Sequence, residues 1–138
     1  MYGALDISTS GMIAQRTRMD VIAANIANAH SLQNAAGEYD PYLRRAVMLA
    51  PGDPNAARRT GRAMGVHVAE IDVRTDALRR EHRPDHPFAD ADGYLMVPDI
   101  DPTVEWVNAL QASRAYEANV AAAETTKSMM AQALRLIA

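Results

Sequence analysis

Taken in alternating steps of three and four from Trp106, the last quarter of the chain reads Trp106, Ala109, Ser113, Tyr116, Val120, Ala123, Lys127, Met130, Leu134 and Ile137. Eight of these ten are apolar or aromatic, and a 3-4 spacing keeps side chains on one stripe of an α-helix with about 3.6 residues per turn. Neither Gly nor Pro follows Pro102, so the pattern predicts one helix to the end of the sequence. Asp101 is suited to cap it and Pro102 to fill its first turn, where the missing N–H is not needed. A second, shorter stripe lies near the start. Leu5, Met12, Met19 and Ile26 are spaced by seven, with Ser8, Gln15, Ile22 and Ala29 between them. With Ser8 and Ser10 as capping hydroxyls, this predicts a helix over about residues 8–29, and Ala23, Ala24 and Ala27 would let another helix come close.

Between the two stripes the helical period is lost. Residues 30–42 hold Gly37 and Pro41 and read as a connector. Residues 42–49 favour a strand, ended by Pro51-Gly52-Asp53-Pro54. Val66–Val73 alternates, with a change of phase near Ala69 that predicts a β-bulge. Residues 75–81 are polar and ambiguous, and Tyr94–Val97 predicts a short strand stopped by Pro98. The expected fold is therefore mainly α with a small β-rich insert. The N- and C-terminal helices pair as an antiparallel coiled coil, and the chain divides into residues 1–30, 31–100 and 101–138.

Charge refines this picture. The net charge is −3 over 138 residues, yet residues 1–30 carry two basic and two acidic groups and residues 104–138 three of each, against nine and twelve between them. The terminal helices are thus charge-poor, and no basic face marks a nucleic-acid site. The positions flanking the C-terminal stripe, Leu110, Glu117, Glu124, Ala131 and Ala138 on one side and Glu105, Ala112, Asn119, Thr126 and Ala133 on the other, include only three charges in ten. An isolated two-helix coil would solvate those positions, so the face is wider than one partner requires. Lys127, inside the stripe, needs an acidic partner or a route to solvent.

Candidate chemistry is sparse. With no cysteine, disulfides and thiolate sites are excluded. His82, His86 and Asp90 invite a metal-hydrolase reading, but Pro84 and Pro87 oppose the helix that would bring a His-x3-His pair together, and an Asp-rich turn that bonds to its own backbone is the simpler reading. Arg58, Arg59 and Arg62 read as a solvated loop surface. No run of about 18 apolar residues is present for a membrane span, nor a basic region leading into an apolar run for a cleaved secretory signal. A peripheral membrane-binding amphipathic helix is the alternative function. It is opposed by polar faces that lack basic residues, since the chain has one lysine.

Motifs point further. Ala24-Asn25-Ile26-Ala27-Asn28-Ala29 on the first helix, His86-Pro87, Ala89-Asp90-Ala91, Gly93-Tyr94 and Pro98 in the middle, and Arg114-x-Tyr116-Glu117-Ala118-Asn119 with Lys127-x-Met129 near the end resemble the flagellar rod and hook proteins, the axial family of the bacterial flagellum. The resemblance implies a non-enzymatic structural subunit with no cofactor and no metal. It also implies export from the cytoplasm by the flagellar type III apparatus without a cleaved signal, and a place in the periplasmic rod of the basal body. The implied partners are other rod proteins and export-gate or rod-adaptor components, with no nucleic acid and no direct membrane insertion. The residues then expected at subunit interfaces are Met12, Met19, Ile22, Asn25, Ile26, Asn28, Trp106, Tyr116, Asn119, Val120, Met130, Leu134 and Ile137.

Overall fold

In the computed structural model, which describes residues 2–52 and 65–137, two long helices flank two short β-ribbons in chain order. Helix α1 spans Tyr2–Ala27 and helix α2 spans Pro102–Ile137. Strands β1 (Arg45–Pro51) and β2 (Val66–Val73) form one antiparallel ribbon, and β3 (Leu78–His82) and β4 (Tyr94–Pro98) form the other. The basic trio Arg58, Arg59 and Arg62 lies outside the described residues.

Helix α1 begins six residues before the expected start at residue 8. The reason is local. Ser8, Thr9 and Ser10 do not cap a helix; their hydroxyls donate back to the carbonyls of Ala4, Leu5 and Ile7, at 3.2, 2.8 and 2.7 Å, the bonding that lets Ser and Thr sit inside helices. Helix α2 starts as its sequence predicts. The Asp101 carboxylate accepts the Thr103 N–H at 2.8 Å, and the Asp101 carbonyl accepts the Glu105 N–H at 3.1 Å.

Three cross-contacts fix how the helices meet. Gly11 faces Asn119, Arg18 donates to Gln111 at 3.2 Å and Asn25 donates to Glu105 at 3.1 Å. Numbers rise along one helix as they fall along the other, so the pair is antiparallel. At about 1.5 Å per residue, this register sets the start of α1 beside about residue 128 of α2. The last turns of α2 therefore run past the end of α1.

The contact face differs from the stripe read in the sequence. On α2 the buried positions are Glu105 and Ala112, with Asn119 half-buried, which is one of the flanking columns, while Trp106 of the expected stripe is 64% exposed. On α1 the buried positions are Ser8, Gly11, Ala14, Ile22 and Asn25, with Ala29 buried in the turn just after it, so Gly11 and Asn25 take the places expected of Met12 and Ile26. The cause is close approach. A Cβ on Gly11 would lie 2.7 Å from the Asn119 amide, and Ala112 is fully buried nearby. Side chains as large as Trp106 are turned to solvent where backbones come this near. Ala23 and Ala27, expected at a helix contact, are exposed, and Ala24 is half-buried. Lys127 is exposed and reaches solvent directly.

The ribbons follow local rules. β1 begins three residues after the expected position 42 because Tyr42 and Arg44 are engaged by the helices, as described below. In β1–β2, Met48 pairs with Glu70 and Leu49 with Val68. Ala69 is the extra residue of a bulge, where the alternation of β2 changes phase. β3 falls in the segment whose polarity left it ambiguous. Its charges stay solvated along the ribbon, with Arg79–Glu81 at 3.7 Å and Arg80–Asp90 at 3.2 Å. An isolated two-stranded ribbon is marginal in water, and both are supported: β1–β2 packs on α1, while β4 buries Leu95 and Val97 in a small core with Ala29 and Ile100.

Gly11→Ala tests the close crossing. Overpacking of about 1–3 kcal/mol, offset by about 1 kcal/mol of helix propensity, leaves a net loss near ~1 kcal/mol in denaturant unfolding. Adding Asn119→Ala opens the space and restores the midpoint.

Candidate subunit interface

Where the helices meet the first ribbon, four polar side chains form a closed knot. The Asn25 side chain is fully buried. Its amide oxygen accepts the Arg45 N–H at 3.0 Å and the Tyr42 hydroxyl at 3.2 Å. Its amide nitrogen donates to the Arg45 carbonyl at 2.8 Å and to Glu105 Oε2 at 3.1 Å. Asn25 thus satisfies both backbone groups of Arg45 on the edge of β1 that faces away from β2. Arg44 donates to Glu105 Oε1 from Nε at 3.0 Å and from Nη2 at 2.6 Å. The Glu105 carboxylate is 1% exposed, and a buried charge is tolerated only when it is paired and hydrogen-bonded. Here both oxygens are. The knot ties α1, β1 and α2 together at one point. In the sequence Glu105 stands as one of the three charges flanking the α2 stripe, and Arg44 carries no local signal. The missed signal was a carboxylate on the otherwise charge-poor side of α2.

The residues expected at an interface divide into two sets. Ile22 and Asn25 are buried within the subunit, and Met12, Met19, Ile26, Asn28, Tyr116, Asn119, Val120 and Met130 are half-buried. Trp106 and Leu134 are exposed, and the side chain of Ile137 lies outside the described residues. Further exposed apolar residues lie on α2: Val104, Val107 and Leu110 beside Trp106, and Met129 and Leu136 around Leu134, with Leu136 88% exposed. The second group occupies the part of α2 that runs beyond α1. On α1 itself Ile13 is 62% exposed.

The loop between β3 and β4 is a self-bonded turn. Asp90 Oδ1 accepts the N–H groups of Asp92 and Tyr94 at 3.0 and 2.7 Å, and Oδ2 accepts from Arg80 at 3.2 Å. The Tyr94 bond above all, with help from Asp92 and Arg80, holds the Asp90 carboxyl below the usual carboxylate range. His82 packs edge-on against Tyr94 and His86 Nδ1 accepts the Phe88 N–H. Among the described residues no three metal-ligating side chains come together, and no helix is long and apolar enough to cross a membrane.

Comparison with known proteins bears on what these surfaces serve. Residues 5–30, nearly all of α1, match the family model described as flagella basal body rod protein. Residues 91–136, from the turn before β4 through α2, match the model for the flagellar basal body rod FlgEFG protein C-terminal. Three relatives extend the likeness to the whole chain, each called flagellar basal-body rod protein FlgC. The one from Yersinia enterocolitica is 40% identical over 136 residues, 99% of this chain and 97% of its own. That from Salmonella typhimurium is 37% identical over the same shares, and that from Bacillus subtilis is 33% identical over 98% of this chain and 97% of its own. The chain belongs to the FlgC family of flagellar basal-body rod proteins. This is a family of structural rod subunits. In this FlgC-family member the two regions matched by the models are those joined by the Asn25–Glu105 bond.

Three variants test this geometry. Arg44→Ala leaves the Glu105 carboxylate buried without its counter-ion and lowers unfolding free energy by about 3 kcal/mol; Asn25→Ala, which strands the Arg45 backbone groups, costs at least about 2 kcal/mol. Both are read by chemical denaturation. For Asp90 the sign runs with a depressed acid: its contribution is full above the ordinary carboxyl value of about 3.9 and is lost as pH falls through the lower folded value. Asp90→Asn therefore removes part of the stability loss seen on acidification below about pH 4 in thermal unfolding.

Proposed function

We infer that the chain is a structural subunit of the proximal rod of the bacterial flagellum, assembling through coiled-coil packing of its terminal helices with those of neighbouring rod subunits. The observation that carries this reading is the end of α2, which has no second helix beside it among the described residues. Its last turns extend past α1 and present Met129, Leu134 and Leu136 to solvent, which is costly for an isolated subunit at about 25 cal/mol per Å² of apolar surface and is relieved when a second helix covers them.

Within this reading the interface residues have separate duties. Ile22 and Asn25 hold α1 against the rest of the subunit. Trp106 and Leu134 lie where a neighbour reaches them without disturbing that packing. Met12, Met19, Ile26, Asn28, Tyr116, Asn119, Val120, Met130 and Ile137 complete the contact, and half-buried methionines suit a surface that meets non-identical partners. Residues 31–100 form the insert carried by the helices. The partners are other rod proteins together with export-gate or rod-adaptor components of the basal body. The chain reaches the periplasm through the flagellar type III apparatus. Relatives covering nearly the full length and named for the basal-body rod support this assignment.

Leu134→Asp and Trp106→Ala test it together. Both side chains are exposed, so the purified subunit should keep its stability within about 0.5 kcal/mol, whereas motility and recovery of the subunit in isolated basal bodies are lost. Full motility in the double variant would refute the role given to α2.

A further inference from the structure

The second ribbon carries a device that neither the family nor the helices require. In a strand, alternate residues direct their N–H and C=O groups to the same edge. On β4 the groups of Leu95 and Val97 face Glu81 and Arg79 of β3, so those of Tyr94, Met96 and Pro98 face the free edge. None of these stands open to pairing through an N–H. Tyr94 donates to Asp90 Oδ1 at 2.7 Å and its carbonyl accepts the Asp90 N–H at 2.7 Å, and Pro98 has no N–H to offer. At Met96 the partner comes from outside the ribbon. The Tyr39 hydroxyl accepts the Met96 N–H at 3.0 Å and donates to the Met96 carbonyl at 2.7 Å.

A hydroxyl is both donor and acceptor, so this single oxygen does what a residue of an adjacent strand does with two groups. The Tyr39 ring is held for the task. It stacks on Phe88 with centroids 5.3 Å apart and stands on a small hairpin closed by the Gln33–Tyr39 bridge. Gly37 turns that hairpin at φ 81°, and Asn34 Oδ1 accepts the N–H groups of Ala36 and Glu38.

The two edges of the ribbon differ in what protects them. β3 carries Arg79, Arg80 and Glu81, charges that discourage edge pairing. β4 reads Tyr-Leu-Met-Val-Pro without a charge, and an uncharged edge is a template on which another chain, a second copy of this one included, can pair. We propose that Tyr39 is an edge guard: its hydroxyl stands in for a neighbouring strand on β4 and keeps a second copy of this chain from pairing there.

The experiment uses the full chain at concentrations where it is monomeric by sedimentation velocity. In the unaltered chain the Met96 amide is protected from hydrogen exchange, and in Tyr39→Phe, which keeps the ring and its stack, it exchanges about tenfold faster. Tyr39→Phe also self-associates with rising concentration. Tyr39→Phe combined with Met96→Pro, which deletes the freed N–H at an edge position that tolerates Pro, returns to monomer. The proposal is overturned if the Met96 amide of the unaltered chain exchanges at the unprotected rate, if Tyr39→Phe sediments like the unaltered chain, or if the double variant associates as strongly as the single one.

Discussion

A carboxylate held almost wholly out of water is the constraint on which the rest of this molecule depends. Glu105 is held by Arg44, the residue before β1, and by Asn25, from α1. Removing any one of the three leaves a buried group without a partner, and that penalty exceeds what a typical hydrogen bond contributes net. The knot therefore does more than add stability. It admits one register of α1 against α2 and one position of β1 on both, because a shift of a single residue separates Asn25 from Glu105 and from the Arg45 backbone at once. Hydrophobic contact alone would not be so selective, since the helix stripes are rich in Ala and Met that pack acceptably in neighbouring registers.

Given that register, the outward surfaces follow. Small residues line the inner crossing at Gly11 and Ala112, so bulk is pushed outward and Trp106, Val107 and Leu110 remain exposed. A chain whose large apolar side chains face away from its own core is organised for contact with other molecules, in keeping with a family of rod subunits. The first ribbon adds Met48, Ile71 and Val73 to the exposed apolar surface, while the second turns mainly charge and bonded backbone outward.

Much of this was legible beforehand. Both helices, the Asp101-Pro102 start of α2, the bulge at Ala69 and the self-bonded turn at Asp90 follow from local rules acting within a few residues, and local rules are what a sequence displays. The motif around Asn25 marked the family as well. The misreadings have a common physical origin. The start of α1 was set by hydroxyls that bond backward instead of capping, a choice made by the continuing helix. The helix face was displaced because periodicity measures where apolar bulk lies, whereas close approach is decided by where bulk is missing. β3 was hidden because a solvated ribbon needs no apolar alternation. Arg44 and Glu105 could not be joined on paper, since nothing in either neighbourhood names the other.

That last separation has a kinetic consequence. The bonds of the knot span 20, 61 and 80 residues of chain, and contacts between distant residues incur loop-closure entropy before they return any stability. Until residue 105 is available, Asn25 has no carboxylate to bind and α1 has only the β1–β2 ribbon to pack on, so a partial chain gains less from ordering its first helix. The two ends of this molecule reach their full stability only together.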